Sequence, residues 1–296
     1  MIDRRRFAAT AGLATLFAGA APAVLRAAPG AEGMAEAFAR IERESGGLLG
    51  VAVIDTGSGA RSGHRADERF AMCSTFKLLA AAAVLARVDA GKDALDRTIR
   101  IEETALVEYS PLTKPHVGGE MTLEALCEAA MVVSDNTAGN LLLESLDGPA
   151  GFTAWVRTLG DAVTRLDRIE PHLNEAAPGD PRDTTTPAAM AANLQKLALG
   201  TMLPLPLRDK LTGWLVGNRT GDTRLRAGVP RDWRVGDKTG TGERGSTNDV
   251  GILWPPNREP IVVAVYLTET TAAPEARNAV IAAVGKAVAA AGPAQP

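Results

Sequence analysis

Between Met72 and Val88 the chain reads MCSTFKLLAAAAVLARV, apolar at almost every position. Such a run predicts a helix buried on all sides rather than one with a wet face. Lys77 breaks the pattern one turn in, with no acidic residue within a helical turn to neutralise it. Elsewhere the patterning is more ordinary. Residues 31–45 predict a helix that stops at Gly46-Gly47, and LLGVAVIDTGSG predicts a strand and a turn. From about Phe70 to Val216 the pattern is mostly helical, broken by loops rich in Gly, Pro and Asp. WRVGDKTGTG, STNDVGILWP and PIVVAVYLTET predict three strands, joined by the turn signals GERG and PPNRE. Spacing that close favours antiparallel hairpins. APEARNAVIAAVGKAVAAAG predicts a closing amphipathic helix.

Strands at both ends thus bracket a long helical insertion. The expected fold class is α/β: an antiparallel sheet flanked by helices, plus an all-α lobe. Residues 29–64 and 216–296 would build the α/β lobe, residues 65–215 the all-α lobe, and the groove between them is the default place for an active site.

The 296 residues are 46% hydrophobic and 23% charged, which marks a globular chain with room for a large core. The first 28 residues stand apart. Three arginines, Arg4 to Arg6, precede a weakly apolar stretch and then small residues near Ala23 to Ala28. That is the order of an export signal peptide, which predicts a periplasmic protein without stable membrane association after export. Adjacent arginines before Phe7 resemble a twin-arginine signal, while Asp3, Ala8 and Thr10 depart from its usual flanks. Four arginines and one aspartate leave with this segment, so the formal charge moves from −3 to −6. A mildly acidic chain has no electrostatic footprint for nucleic acid, and it lacks the basic face that anionic lipid would favour. Two cysteines, Cys73 and Cys127, make no disulfide framework. His64, His116 and His172 lie far apart without metal-ligand spacing, so neither a metal nor another cofactor is expected.

Four short motifs carry the chemistry. In STFK, Ser74 and Lys77 are three apart and face the same way on a helix. A lysine beside a serine hydroxyl lowers the cost of removing its proton when burial or a neighbouring charge depresses the lysine pKa. SDN, Ser134 to Asn136, sits at the break between two apolar helices, where Asp135 reads as a cap. KTGTG, Lys238 to Gly242, lies on a strand whose glycines allow a close backbone approach. RIEPHLNEAAPGDPRD, residues 168–183, is too broken for a helix; opposite charges at its ends predict an Arg168–Asp183 pair closing an Ω-type loop. Within it, Glu170 precedes Pro171, a setting for a cis bond, and Asn174 lies four residues on. Taken singly, each motif is weak, since Ser-x-x-Lys arises by chance on the order of once in a few hundred residues.

In this order and at these separations, the four motifs resemble those of class A serine β-lactamases. The resemblance covers nearly all of the chain after the signal. It implies that Ser74 attacks the β-lactam carbonyl and forms an acyl-enzyme, within an oxyanion hole made by the backbone N–H groups of Ser74 and Thr241. It implies that Lys77 tunes protonation around Ser74, and that Ser134 relays a proton to the departing ring nitrogen with help from Lys77 and Lys238. Asn136 would bond the substrate's side-chain amide. Lys238 and Thr239 would bind its carboxylate, with Arg224 adding positive charge because Thr247 stands where many members place an arginine. Glu170, with Asn174, would activate the deacylating water, and acylation would use either Lys77 or Glu170 as its base. Tyr109 matches an aromatic at the mouth of the site. The implied protein is a monomer that acts on a small-molecule β-lactam, penicillins and cephalosporins, and so confers resistance.

The same resemblance matches Cys127 to half of a disulfide whose partner position here is Ala81. It matches Cys73 to a cysteine bridged across the site in carbapenem-hydrolysing members, with Gly242 at the partner position. Neither bridge is expected. Two rivals remain at this level. A penicillin-sensitive D,D-peptidase would lack the Glu170 loop, and a β-lactam sensor that stays acylated would carry a membrane span and a signalling domain.

Overall fold

The computed structural model describes residues 33–291, so the export signal expected at residues 1–28 lies outside the described residues. In chain order the strands are β1 (Leu48–Asp55), β2 (Arg61–His64), β3 (Phe70–Ala71), β4 (Thr98–Arg100), β5 (Glu120–Thr122), β6 (Thr184–Thr185), β7 (Arg234–Thr241), β8 (Thr247–Trp254) and β9 (Ile261–Thr268). The helices are α1 (Met34–Ser45), α2 (Phe76–Asp89), α3 (Leu123–Val132), α4 (Asn136–Ser145), α5 (Gly148–Thr158), α6 (Pro187–Leu194), α7 (Leu205–Val216), α8 (Leu225–Gly228) and α9 (Pro274–Ala290). Five strands form one antiparallel sheet in the order β2-β1-β9-β8-β7. As the patterning predicts, the antiparallel sheet is flanked by helices.

Successive residues of a strand face opposite sides, and here both sides are apolar. On β9, Val263, Val265 and Leu267 pack with Phe38 and Ile41 of α1 and Ile281, Val284 and Val288 of α9. Their neighbours Val262, Ala264 and Tyr266 join the larger cluster that contains α2, α3 and α6. Burial on both faces explains why β9 reads as an unbroken apolar run instead of an alternating one. The centre of the larger cluster is α2, whose residues Phe76 to Leu85 are all buried. Ala80 to Ala83 keep its flanks narrow, and Phe76 meets Phe152 of α5 edge to face at 6.3 Å.

The sheet is fastened to the turn that precedes α2. Asn248 of β8, fully enclosed, donates from Nδ2 to the carbonyls of Ala71 (2.9 Å) and Met72 (3.1 Å). Thr75 adds a bond to Met72 O (2.8 Å) and a contact with the Tyr266 hydroxyl (3.3 Å). Removing a buried donor strands its acceptors and costs about 1–3 kcal/mol. Asn248→Ala is therefore expected to lower the unfolding free energy by about 1–3 kcal/mol, read as a lower denaturant midpoint at an unchanged m-value; an unshifted midpoint would show that the clasp carries no stability.

Candidate active site

Ser74 lies in a short 3-10 turn, Cys73–Thr75, and α2 begins after it at Phe76. The sequence reading placed Ser74 in the helix itself; the tighter turn still leaves it on the same side as Lys77. Cys73 is left-handed, with φ +46°. Lys77 is fully buried, and its Nζ donates to Ser74 Oγ (2.9 Å), Ser134 O (3.0 Å) and Asn136 Oδ1 (2.6 Å). The missing acid is Glu170, whose Oε1 lies 2.9 Å from Lys77 Nζ and accepts from Ser74 Oγ at 3.2 Å. Gly139 of α4 makes room for the lysine stem, since a Cβ there would lie 2.7 Å from Lys77 Cε. Burial holds the Lys77 ammonium below its ordinary pKa, and the Glu170 charge pulls the other way.

Lys238, on β7, is also fully buried and donates to Ser134 Oγ (2.9 Å) and Thr239 O (2.9 Å). Burial first, and then the nearby Lys77 charge, hold it well below its ordinary pKa. Ser134 is the hinge between α3 and α4, with φ +60°, and its hydroxyl lies between the two ammonium groups, at 3.5 Å from Lys77 Nζ. Asp135 caps α4 through Ala138 N (2.9 Å) and also holds Leu112 N and Thr113 N (2.9 Å each), which ties the loop bearing Tyr109 to this break. Asn136 Nδ2 donates to Glu108 O (2.9 Å) in the same loop.

The loop from Arg168 to Asp183 closes as its end charges predict, with Arg168 Nε on Asp183 Oδ2 at 2.6 Å and a cis Glu170–Pro171 bond. Asn174 Nδ2 donates to Glu170 Oε2 (2.5 Å), while the buried Asn174 Oδ1 has no partner in the protein. Sequence reasoning passed over Asn140, whose amide clamps the Glu170 backbone from both sides, to Glu170 O (3.0 Å) and from Glu170 N (2.9 Å). Its position four residues after Asn136 on the same helix face was a usable signal.

Arg224 is largely enclosed, and burial lowers its pKa against the pull of Asp249 and Asp237. Its guanidinium donates to Gly240 O (2.8 Å), Asn248 O (2.7 Å), Thr241 Oγ1 (2.7 Å) and Asn278 Oδ1 (2.9 Å). Thr247 is buried on β8.

A pocket of about 370 Å³ gathers these groups, a volume fit for a small organic molecule. Ser74, Tyr109, Ser134, Asn136, Asn174, Arg224, Thr239 and Thr241 line it, joined by Thr220 and Gly240. Lys77, Glu170 and Lys238 lie sealed behind that lining. Tyr109 is 57% exposed at the surface of the pocket, so it is no core aromatic. Arg224 is the one charged side chain in that lining, and its positive charge suits an anionic ligand. Among the described residues, no group of three or more His, Cys, Asp or Glu side chains is arranged to hold a metal ion.

Both cysteines are free and buried, so Cys73 and Cys127 do not bridge. Burial pushes the Cys73 thiol up to about 12, so little of it is thiolate near neutral pH.

A family model described as the β-lactamase enzyme family matches residues 33–291. β-Lactamase AST-1 of Nocardia asteroides is 53% identical over 251 residues, covering 85% of this chain and 81% of that protein. β-Lactamase CTX-M-8 of Citrobacter amalonaticus is 46% identical over 285 residues, covering 96% and 97%. Among solved structures, an ancestral (GNCA) class A β-lactamase superposes with a TM-score of 0.87 at 63% identity, covering 88% of this chain and all of that one.

A Cβ built on Gly242 would lie 2.6 Å from Cys73 Sγ and 2.8 Å from the Asn174 main-chain oxygen, within bridging reach of Cys73 once the backbone shifts slightly. Gly242→Cys is expected to form a disulfide with Cys73 under mild oxidant. Alkylation of the denatured variant would then label Cys127 alone; labelling of all three thiols would rule the juxtaposition out.

Proposed function

The chain belongs to the class A serine β-lactamases, and we propose that it hydrolyses the β-lactam ring of penicillins and cephalosporins through a serine acyl-enzyme, conferring resistance to these drugs. The observation that carries the reading is the contact of Ser74 Oγ with both Lys77 Nζ (2.9 Å) and Glu170 Oε1 (3.2 Å) at the floor of one pocket.

Ser74 Oγ attacks the lactam carbonyl, and its proton enters the Lys77–Glu170 pair. Burial lowers the Lys77 pKa while the Glu170 carboxylate raises it, and the acylation base is Lys77 or Glu170. Backbone N–H groups of Ser74 and Thr241 receive the oxyanion, where one donor is worth about 3–4 kcal/mol in the transition state. Ser134 Oγ, fed by Lys77 and Lys238, hands a proton to the ring nitrogen as the C–N bond breaks. Lys238, Thr239, Thr241 and Arg224 hold the substrate carboxylate. Asn136 binds the side-chain amide, and Tyr109 borders the entrance.

Deacylation falls to Glu170, which removes a proton from a water that attacks the acyl carbon. The free carbonyl oxygen of Asn174 beside Glu170 Oε2 supports a water held between them. This carboxylate is also what separates a hydrolase from a D,D-peptidase or an acylated sensor, since those have no use for a second base at Ser74.

We further read residues 29–64 and 216–296 as one lobe and 65–215 as another, a division supported by the origin of all five sheet strands near the two ends. Residues 1–28 act as the export signal for a periplasmic, monomeric enzyme; no helix among the described residues is long and apolar enough to cross a membrane.

The exported form lacking residues 1–28 is expected to open a chromogenic cephalosporin with many turnovers per enzyme. A single stoichiometric burst would sink the hydrolase reading. Glu170→Ala is expected to lose at least about a hundredfold in kcat and to accumulate an adduct on Ser74, visible as added mass on the intact protein. Normal turnover in that variant would remove Glu170 from deacylation.

A further inference from the structure

Thr220 lines the pocket beside Thr239, yet no motif contains it. The bonds behind it run in one direction. Arg226 donates to Asp237 Oδ1 (2.7 Å), a pairing with a cation that favours the carboxylate form of Asp237 against the upward push of burial. An ionised carboxylate only accepts, so the amide nitrogen of Asn218 must face Asp237 Oδ2 (2.9 Å). Asn218 Oδ1 is thereby aimed at Thr220, and it accepts from both Thr220 N (3.0 Å) and Thr220 Oγ1 (2.8 Å).

A hydroxyl has one hydrogen, and that of Thr220 is spent on Asn218. With that hydrogen turned to Asn218, the contact with Thr239 Oγ1, at 2.5 Å, has Thr239 donating and Thr220 accepting. The neighbouring hydroxyl is ordered the opposite way. Thr241 Oγ1 accepts from Arg224 (2.7 Å), so its own hydrogen is free for the pocket.

We propose that Thr220 is a specificity-determining positioning residue, which holds the Thr239 hydroxyl so that it offers the pocket a lone pair in place of an O–H. The two pocket threonines then differ in sign. Thr241 greets an anion with a donor, whereas Thr239 must first turn and give up its bond to Thr220. A carboxylate therefore binds against a built-in resistance, and a ligand carrying an N–H at that point does not meet it. The inference rests on the β-lactamase reading for the identity of the carboxylate.

The test compares a penicillin with its C3 carboxamide on the wild type and on Thr220→Val, whose side chain keeps the shape and loses the acceptor. The expected result is a KM for the penicillin lower by about threefold to tenfold, with kcat within about twofold, and a KM for the carboxamide that is unchanged or raised. Thr220→Ser should keep the wild-type KM, and Thr220→Ala should repeat the valine effect if valine disturbs folding. An unchanged or raised penicillin KM in the variants overturns the inference, and so does an equal fall for both ligands, which would be mere loosening. Failure of the wild type to turn over penicillin at all would overturn the β-lactamase reading instead, so the two failures are distinguishable.

Discussion

One buried ammonium organises this molecule. Lys77 stands at the head of a helix enclosed on every side, where an unpaired charge would cost several kcal/mol. Its partners come from three segments: the turn before α2, the Ser134–Asn136 break leading into α4, and the loop carrying Glu170. Each must sit within about 3 Å of one nitrogen for the helix to stay buried. The condition that lets α2 form the core is thus the condition that assembles the nucleophile, the proton relay and the base.

The second constraint comes from the sheet. Lys238 lies on β7 with Asp237 one residue before it, and the two point to opposite sides. One side of the strand places an ammonium on Ser134 at the pocket. The other buries a carboxylate against Arg226, Asn218 and Asp249. Polar groups on both faces of a buried strand have to be satisfied by fixed partners. Those partners fix the depth at which Thr239 and Thr241 are offered to a ligand.

Much of this was legible in the chain, for reasons that can be named. Strands and helices were carried by long apolar periodicities, and the Arg168–Asp183 closure by opposite charges at the ends of a loop unable to be helical. Glu170 as the partner of Lys77 could not be read locally, because the two are 93 residues apart and meet only after folding. Asn140 was within reach of a helical-face argument from Asn136. Thr220 was not: it sits in a loop, and its role depends on the direction of hydrogen bonds fixed by Asp237 across the pocket wall. A residue whose meaning lies in proton order leaves no periodic trace.

Three residues at this pocket, Cys73, Tyr109 and Ser134, hold left-handed backbone without being glycine, at φ +46°, +61° and +60°. Conformations of that kind cost of order 1–3 kcal/mol each and persist because their surroundings overrule them. The pocket is therefore a tensioned part of the fold, held open at the expense of the stability that the two apolar clusters supply. Any lineage of this protein that broadens its substrate range by adding strain here draws on the same reserve. Its room to adapt is measured by how firmly α2 and the sheet are packed.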